Sequence, residues 1–143
     1  MSTGLKAVAV TGRRELTLSE IDPVCAADEV LVRVAYCGIC GSDVPRYFEG
    51  AVHSFPQVLG HEFSGVVAEV GSDVTTARVG DRVAVAPLVP CHTCAECRAG
   101  TPSLCPNYSF IGSRRQGALA DLVAVPAVNL VPLGDLSLKV GAL

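Results

Sequence analysis

Hydrophobic and polar positions alternate along the chain in several short runs, which is the pattern of β-strands with two different faces. Residues 29–36, EVLVRVAY, are the clearest run and are rich in β-branched side chains. Turn residues such as GSD at 71–73 separate the runs. Long helical periodicity is absent, and only residues 42–48 could form a short turn of helix. The pattern predicts strands at residues 5–10, 15–20, 29–36, 65–71, 81–86 and 119–125.

Many short strands separated by glycine and proline predict a mainly β domain with a few short helices, built as a barrel or a sandwich. The length of 143 residues suggests a single domain spanning residues 1–143. The sequence contains no internal repeat. It also lacks a Gly-x-Gly-x-x-Gly turn between a strand and a helix, so no dinucleotide-binding unit is expected within these residues.

Composition favours a packed core, since 50% of the residues are hydrophobic and 17% are charged. A net charge of −3 argues against nucleic acid or an anionic membrane as the main partner. Mean hydropathy is high at +0.44, but polar residues and prolines interrupt the most apolar stretch, residues 118–133. The first residues do not have the pattern of a secretory signal. We therefore expect a soluble, cytoplasmic protein.

Four of the 7 cysteines lie in CHTCAECRAGTPSLC, residues 91–105. Their spacing, C-x2-C-x2-C-x7-C, allows four thiolates to surround one ion, which is typical of a structural zinc site without an open position. An iron–sulfur cluster and a pair of disulfides are the alternatives. His92 lies among the cysteines but is expected to be a bystander, because the quartet is already complete. The predicted zinc ligands are Cys91, Cys94, Cys97 and Cys105.

A second group of candidate ligands is divided between CGICGSD, residues 37–43, and GHE, residues 60–62. A CxxC pair can be a redox dithiol, half of a zinc site or neither, and a His-Glu pair alone is a weak signal. A thiolate, an imidazole and a carboxylate from distant segments are, however, the ligand types of a catalytic zinc site with an open position.

These motifs, with VGDRV at residues 79–83, have the order and spacing of a known family. The whole chain resembles the catalytic domain of zinc-dependent medium-chain alcohol and polyol dehydrogenases. The resemblance implies a GroES-like β-barrel with a four-cysteine zinc lobe, normally followed by a Rossmann domain that binds NAD or NADP. Within the family, four segments are most similar to a dehydrogenase of a sugar-alcohol phosphate: CGSDVPRYF, FPQVLGHEFSG, PLVPCHTCAEC and YSFIGSRRQGALADL.

The resemblance also implies roles for individual residues. Cys40 and His61 correspond to zinc ligands, and Glu62 to a ligand in some states or a carboxylate just outside the metal shell. Ser42 corresponds to the residue that hydrogen-bonds the substrate alcohol and takes its proton. Asp43 corresponds to the carboxylate that orients the imidazole of His61.

Three positions are expected to lie outside this machinery. Cys37 has no metal role in the resemblance, and a redox dithiol with Cys40 would need a thioredoxin-like βαβ context, which is absent. Cys25 is expected to be a packed or loop thiol. Pro45 stands where alcohol dehydrogenases often carry a histidine that relays the proton, so a water chain or the cofactor ribose would have to serve instead.

Basic residues suggest the substrate. Arg114 and Arg115 lie in a glycine-bounded loop, and Arg46 with Tyr47 follows the Cys40 motif. Guanidinium groups bind phosphate through bidentate, charge-assisted hydrogen bonds. A solvated basic loop, or a contact with a following domain, is the alternative. Our hypothesis is a polyol or sugar-alcohol phosphate whose secondary alcohol is oxidised to a ketone.

In the family, a further zinc ligand and the nucleotide-binding domain follow the segment LSLKVGAL at residues 136–143. We therefore expect a catalytic-domain fragment or split domain that does not turn over alone, from an enzyme that forms a homodimer or homotetramer. The alternative is a zinc-stapled β-barrel that serves as a structural or binding module without activity. A count of bound zinc ions distinguishes the two.

Overall fold

The alternating runs form short strands in the computed structural model, which describes residues 4–143. The helices are short: α1 (Asp43–Phe48), α2 (Ala95–Arg98) and three 3₁₀ helices at Pro102–Leu104, Ala127–Asn129 and Val140–Ala142. The strands are β1 (Lys6–Gly12), β2 (Glu15–Glu20), β3 (Glu29–Gly38), β4 (Gln57–Val58), β5 (Glu62–Val70), β6 (Arg82–Val85), β7 (Leu88–Val89), β8 (Ser109–Phe110), β9 (Leu122–Pro126) and β10 (Leu130–Pro132).

The larger sheet has five strands in the order β10-β6-β5-β3-β9. Its long central pair, β3 and β5, is antiparallel, and the register shifts twice, between Leu31 and Val32 and between Val34 and Tyr36. Such irregularities bend a strand and increase its twist. The inward-facing side chains of this sheet and its neighbours form the main core, which includes Val30, Val32, Phe63, Val67, Val83, Val85, Ile111, Val123 and Val125.

A three-stranded sheet, β2-β1-β4, and a two-stranded hairpin, β7-β8, complete the described fold. The segment before β9 joins the smaller sheet to the larger, because the amide of Val8 donates to the carbonyl of Leu119 (2.8 Å) and Ala7 pairs with Ala120. Across residues 4–143 the three sheets remain separate in their pairing, so no continuous ladder closes a barrel. The prediction of a mainly β, GroES-like domain with a four-cysteine lobe is confirmed.

Each of the six predicted strands corresponds to an observed one. The strand predicted at 65–71 begins earlier, at Glu62, and the helix predicted at 42–48 begins at Asp43. The sequence pattern missed β4, β7, β8 and β10, which are at most 3 residues long and too short to show a period. Among the residues that the structure describes, we find no helix with the length and apolar character needed to cross a membrane.

Candidate functional site

The four-cysteine lobe projects from the β7-β8 hairpin, in which Leu88 pairs with Phe110. Both of its helices place a cysteine at an end: Cys94 precedes α2, and Cys105 follows the 3₁₀ helix that begins at Pro102. Cys94 caps α2 through its sulfur, which accepts a hydrogen bond from the amide of Cys97 (3.4 Å). The local fold therefore turns the cysteines toward one another.

The donor set of the lobe fits a four-coordinate metal ion. The Sγ atoms of Cys91, Cys94, Cys97 and Cys105 all lie within 4.8 Å of one another, and sulfurs around a tetrahedral zinc at ~2.3 Å are about 3.8 Å apart. The amide of Cys91 donates to the sulfur of Cys105 (3.4 Å). All 7 cysteines of the chain lie within the described residues and are free, so the disulfide alternative has no support in the structure.

Charge also favours a cation between these sulfurs. Hydrogen bonds from the backbone and the hydroxyl of Thr93 lower the pKa of the Cys91 thiol to about 5. The pKa of Cys94 is raised to about 12, because burial and its side-chain neighbours outweigh the lowering by the Cys97 amide. A divalent cation between the sulfurs would favour the thiolate form of all four cysteines.

His92 takes no part in the quartet. Its side chain is exposed and its backbone adopts the left-handed region, with φ of 58°. This residue turns the chain between Cys91 and Cys94.

The second cluster forms where β3 ends and β5 begins. Pairing of Gly38 with Glu62 places the loop that contains Cys40 beside His61. One ligand atom from each of Cys40, His61 and Glu62 lies within 4.8 Å of the others. The structure therefore brings the three predicted ligands together, with His61 buried and Glu62 exposed.

Gly60 permits the close packing that positions His61. Its φ is 95°, a backbone conformation that favours glycine. A Cβ atom at this position would lie 2.7 Å from the sulfur of Cys37 and 2.9 Å from the amide nitrogen of Leu119. Only a glycine allows the chain to enter His61 along this path.

Asp43 connects both sides of the second cluster. Its Oδ2 accepts a hydrogen bond from the amide of Cys40 (3.1 Å), and its Oδ1 lies 3.8 Å from Nδ1 of His61. Nδ1 of His61 is buried and has no hydrogen-bond partner within the described residues. The carboxylate therefore faces the imidazole that it was predicted to orient.

Phe110 holds the other side of His61 and was missed in the sequence. Its ring meets the imidazole edge-on, with centroids 5.5 Å apart and planes at 65°. Phe110 belongs to β8, the second strand of the hairpin that carries the four-cysteine lobe. Phe110 lies five residues after Cys105, the last cysteine of the lobe, within YSFIGS, and this aromatic residue close to the lobe is the signal that could have identified it.

Ser42, two residues after Cys40, is exposed. Its Oγ accepts a hydrogen bond from Nη1 of Arg46 (3.0 Å). Arg46 also pairs with Oδ1 of Asp43 (3.0 Å). Arg46 therefore lies at the predicted site, where its guanidinium bonds to the side chains of Ser42 and Asp43.

The arginine pair is divided between two surroundings. Arg114 is exposed, and its guanidinium lies 4.5 Å from the ring centroid of Tyr108. Arg115 forms an ion pair with Glu29 in the wall of a cavity of about 550 Å³, whose lining includes neither Cys40 nor His61. Adjacent residues in sequence therefore do not form one guanidinium pair here.

Tyr47, which was predicted to contact the substrate, makes a hydrogen bond within the protein. The hydroxyl of Tyr47 donates to the carbonyl of Arg14 (3.2 Å), which ties α1 to the β1-β2 turn. Burial, followed by the charges of Asp43 and Glu62, raises the pKa of the Cys37 thiol to about 11. A thiol of this kind is a poor nucleophile at neutral pH, which disfavours a redox dithiol at CGIC.

Comparison with known proteins places this geometry in a family. Residues 26–135 match the family model of the alcohol dehydrogenase GroES-like domain. The chain belongs to this family. The resemblance stated from the sequence motifs is thereby confirmed.

Curated relatives of this GroES-like domain include polyol enzymes. Galactitol 1-phosphate 5-dehydrogenase of Escherichia coli (strain K12) is 46% identical over 125 residues, which cover 87% of this chain and 36% of the relative. Probable D-xylulose reductase A of Aspergillus clavatus is 47% identical over 121 residues, 80% of this chain and 34% of the relative. The chain therefore spans about a third of the length of these relatives.

Solved structures agree closely with the fold. Galactitol-1-phosphate dehydrogenase from Escherichia coli superposes with a TM-score of 0.91 at 43% identity, covering 96% of this chain and 40% of that one. An NAD-dependent alcohol dehydrogenase gives 0.89 at 34% identity, covering 96% and 42%. A cobalt- and zinc-bound thermostable alcohol dehydrogenase from Pyrobaculum aerophilum gives 0.89 at 33% identity, covering 96% and 44%.

Proposed function

We propose that this chain is the catalytic domain of a zinc- and NAD(P)-dependent dehydrogenase that oxidises a secondary alcohol of a polyol or sugar-alcohol phosphate to a ketone. The observation that carries the proposal is the second cluster, in which Cys40, His61 and Glu62 converge within 4.8 Å. A purely structural zinc module has no need of these three groups beside an exposed serine. Since the chain covers about a third of its curated relatives, the activity belongs to the whole enzyme.

Two zinc ions fit the donor sets. A structural ion would be held by Cys91, Cys94, Cys97 and Cys105. The other would be held by the sulfur of Cys40, the imidazole of His61 and the carboxylate of Glu62. Because Asp43 faces Nδ1 of His61, Nε2 would be the nitrogen available to the metal. When bound there, zinc supplies Lewis acidity that lowers the pKa of an alcohol.

Transfer of the alcohol proton would involve residues of this domain. The hydroxyl of the exposed residue Ser42 hydrogen-bonds the substrate alcohol, and Oγ accepts the alcohol proton as the hydroxyl releases its own. Asp43 holds the imidazole in one orientation, as carboxylates behind metal-bound histidines do. Pro45 cannot relay a proton, so the proton leaves Ser42 through water or the cofactor ribose.

The cofactor proposed for the whole enzyme is NAD or NADP, which would accept the hydride outside this domain; the similarity to an NAD-dependent alcohol dehydrogenase supports it. A homodimer or homotetramer is the oligomeric state that we expect for the whole enzyme. A site of four thiolates requires reduced cysteines, which favours the cytoplasm.

Arg114 is the best candidate for a phosphate contact. Among residues 4–143, Arg46 and Arg115 are already paired with carboxylates, whereas Arg114 is exposed and forms no ion pair in that range. In the whole enzyme, Arg114→Ala should raise KM for a phosphorylated polyol far more than KM for the plain polyol. Arg98→Ala, an exposed arginine of the four-cysteine lobe, is the matched control. An equal change for both substrates would remove the phosphate from the proposal.

Metal counting tests the dehydrogenase against the module. We expect about two zinc ions per chain, with one lost in Cys94→Ser and the other in His61→Ala. The module predicts a single ion that disappears in Cys94→Ser and is unaffected by His61→Ala.

A further inference from the structure

One nitrogen of Arg46 hydrogen-bonds two residues beside the second cluster, Ser42 and Asp43. Nη1 lies 3.0 Å from Oγ of Ser42 and 3.0 Å from Oδ1 of Asp43. This nitrogen carries two N–H groups, so each acceptor can receive one of them. The arginine is mostly buried, with 16% of its side chain exposed, and that of Asp43 is 8% exposed.

The same carboxylate oxygen faces the imidazole. Oδ1 of Asp43 receives Arg46 and lies 3.8 Å from Nδ1 of His61, while Oδ2 accepts the amide of Cys40. Two fixed donors on a carboxylate determine its rotation about the Cβ–Cγ bond. Without Arg46, only the Cys40 amide would hold that carboxylate, and Oδ1 could turn away from His61.

We propose that Arg46 is a positioning residue for the Cys40–His61–Glu62 site. It holds Asp43 so that Oδ1 faces His61, and it holds Oγ of Ser42 through one lone pair so that the hydroxyl proton points away from the guanidinium. The sequence predicts that Arg46 contacts the substrate; the positioning role is a different role for the same side chain. The inference rests on the proposed function, since it concerns the same metal site.

The geometry separates this role from simple support of α1. Arg13 also contacts this helix, because its Nε donates to the carbonyl of Phe48 (3.0 Å), but no hydrogen bond or ion pair in the described part of the chain joins it to Ser42 or Asp43. Arg13→Met is therefore a matched control for Arg46→Met. Both variants remove a guanidinium that supports the helix, and only one removes the bonds to the site.

The test uses this chain with zinc already in the four-cysteine lobe, titrated with Co²⁺. Cobalt absorption bands report the ligands at the second site, and ¹⁵N NMR reports the Nδ1–H of His61. In Arg46→Met we expect cobalt affinity to fall on the order of 10-fold, with shifted bands and faster exchange of the Nδ1 proton. Arg13→Met should match the wild type in all three readouts, even if its melting temperature falls.

Equal affinity and equal spectra in Arg46→Met and the wild type would overturn the role of Arg46 and leave the proposed function standing. A wild-type chain that takes up no cobalt would overturn both. If Arg46→Met does not fold, Arg46→Lys decides: it retains the charge without the planar guanidinium. We then expect a smaller weakening with shifted bands, and an unchanged spectrum would overturn the proposal.

Discussion

Oδ1 of Asp43 lies 3.8 Å from Nδ1 of His61, and this buried nitrogen has no hydrogen-bond partner in the described part of the chain. The separation is too long for a hydrogen bond, so in the structure the carboxylate acts on the imidazole through its charge. This relationship links Asp43, a residue of α1 near Cys40, to His61, which directly precedes β5.

Replacement of the carboxylate tests this link. In Asp43→Asn we expect affinity for Co²⁺ at the Cys40–His61–Glu62 site to fall on the order of 10- to 100-fold, because the charge that faces His61 is lost. Titration followed by absorption gives the affinity. Asp135→Asn, at an exposed aspartate, should leave it unchanged. Equal affinity in both variants would show that Asp43 does not support the metal.

A substitution in the four-cysteine lobe should remove the structural zinc separately from the other metal. Cys94→Ser should release about one zinc per chain and lower the melting temperature, because a structural zinc contributes its binding energy to folding. Plasma mass spectrometry and calorimetry measure the two effects. Cys25→Ser is the control, since Cys25 is a partly buried thiol outside both clusters. The lobe assignment fails if Cys94→Ser retains all of its zinc.

Substitution of Gly60 tests whether the backbone before His61 requires a glycine. In Gly60→Ala the new Cβ would meet Cys37 and the backbone of Leu119, in addition to the cost of a positive φ. We expect the free energy of unfolding to fall by roughly 2–5 kcal/mol and the second metal to be lost.

Gly80→Ala is the matched control for that change. Its φ of 96° nearly equals that of Gly60, and its Cβ would meet nothing within 4 Å. It should therefore show only the backbone cost, about 1 kcal/mol, and retain both metals. Equal losses in the two variants would contradict the packing argument.

Cys37 should show the pH dependence of a buried thiol. Its pKa is raised from 9.0 to about 11, so between these values the unfolded thiol loses its proton while the folded one keeps it. The linkage therefore makes stability fall as pH rises from about 9 to about 11. In the Cys40→Ser variant, which removes the neighbouring thiol, alkylation of Cys37 should increase with an apparent pKa near 11. A midpoint near 9 would contradict the burial.

The sequence predicted those parts of the fold and site that depend on local pattern. Alternation located β1, β2, β3 and β9, and the spacing of the cysteines identified the quartet whose sulfurs converge in the structure. Motif order indicated that Cys40 and His61 belong together. Local pattern could not show how they meet, because that depends on a β3-β5 register with two irregularities.

Side-chain partners were harder to predict than ligand types. Arg114 and Arg115 are neighbours in sequence, yet one lies over Tyr108 and the other pairs with Glu29, a residue of β3. For Arg46, the spacing of three residues from Asp43 on a helix was an available signal of an ion pair. The basic character of the segment indicates a phosphate contact instead.

Anomalous scattering at the zinc edge, from crystals of the zinc-loaded chain, would show whether the domain holds a second metal beside the structural one. We expect two peaks, one enclosed by Cys91, Cys94, Cys97 and Cys105 and the other bounded by Cys40, His61 and Glu62. A single peak in the four-cysteine lobe, with none beside His61, would rule out the second metal site.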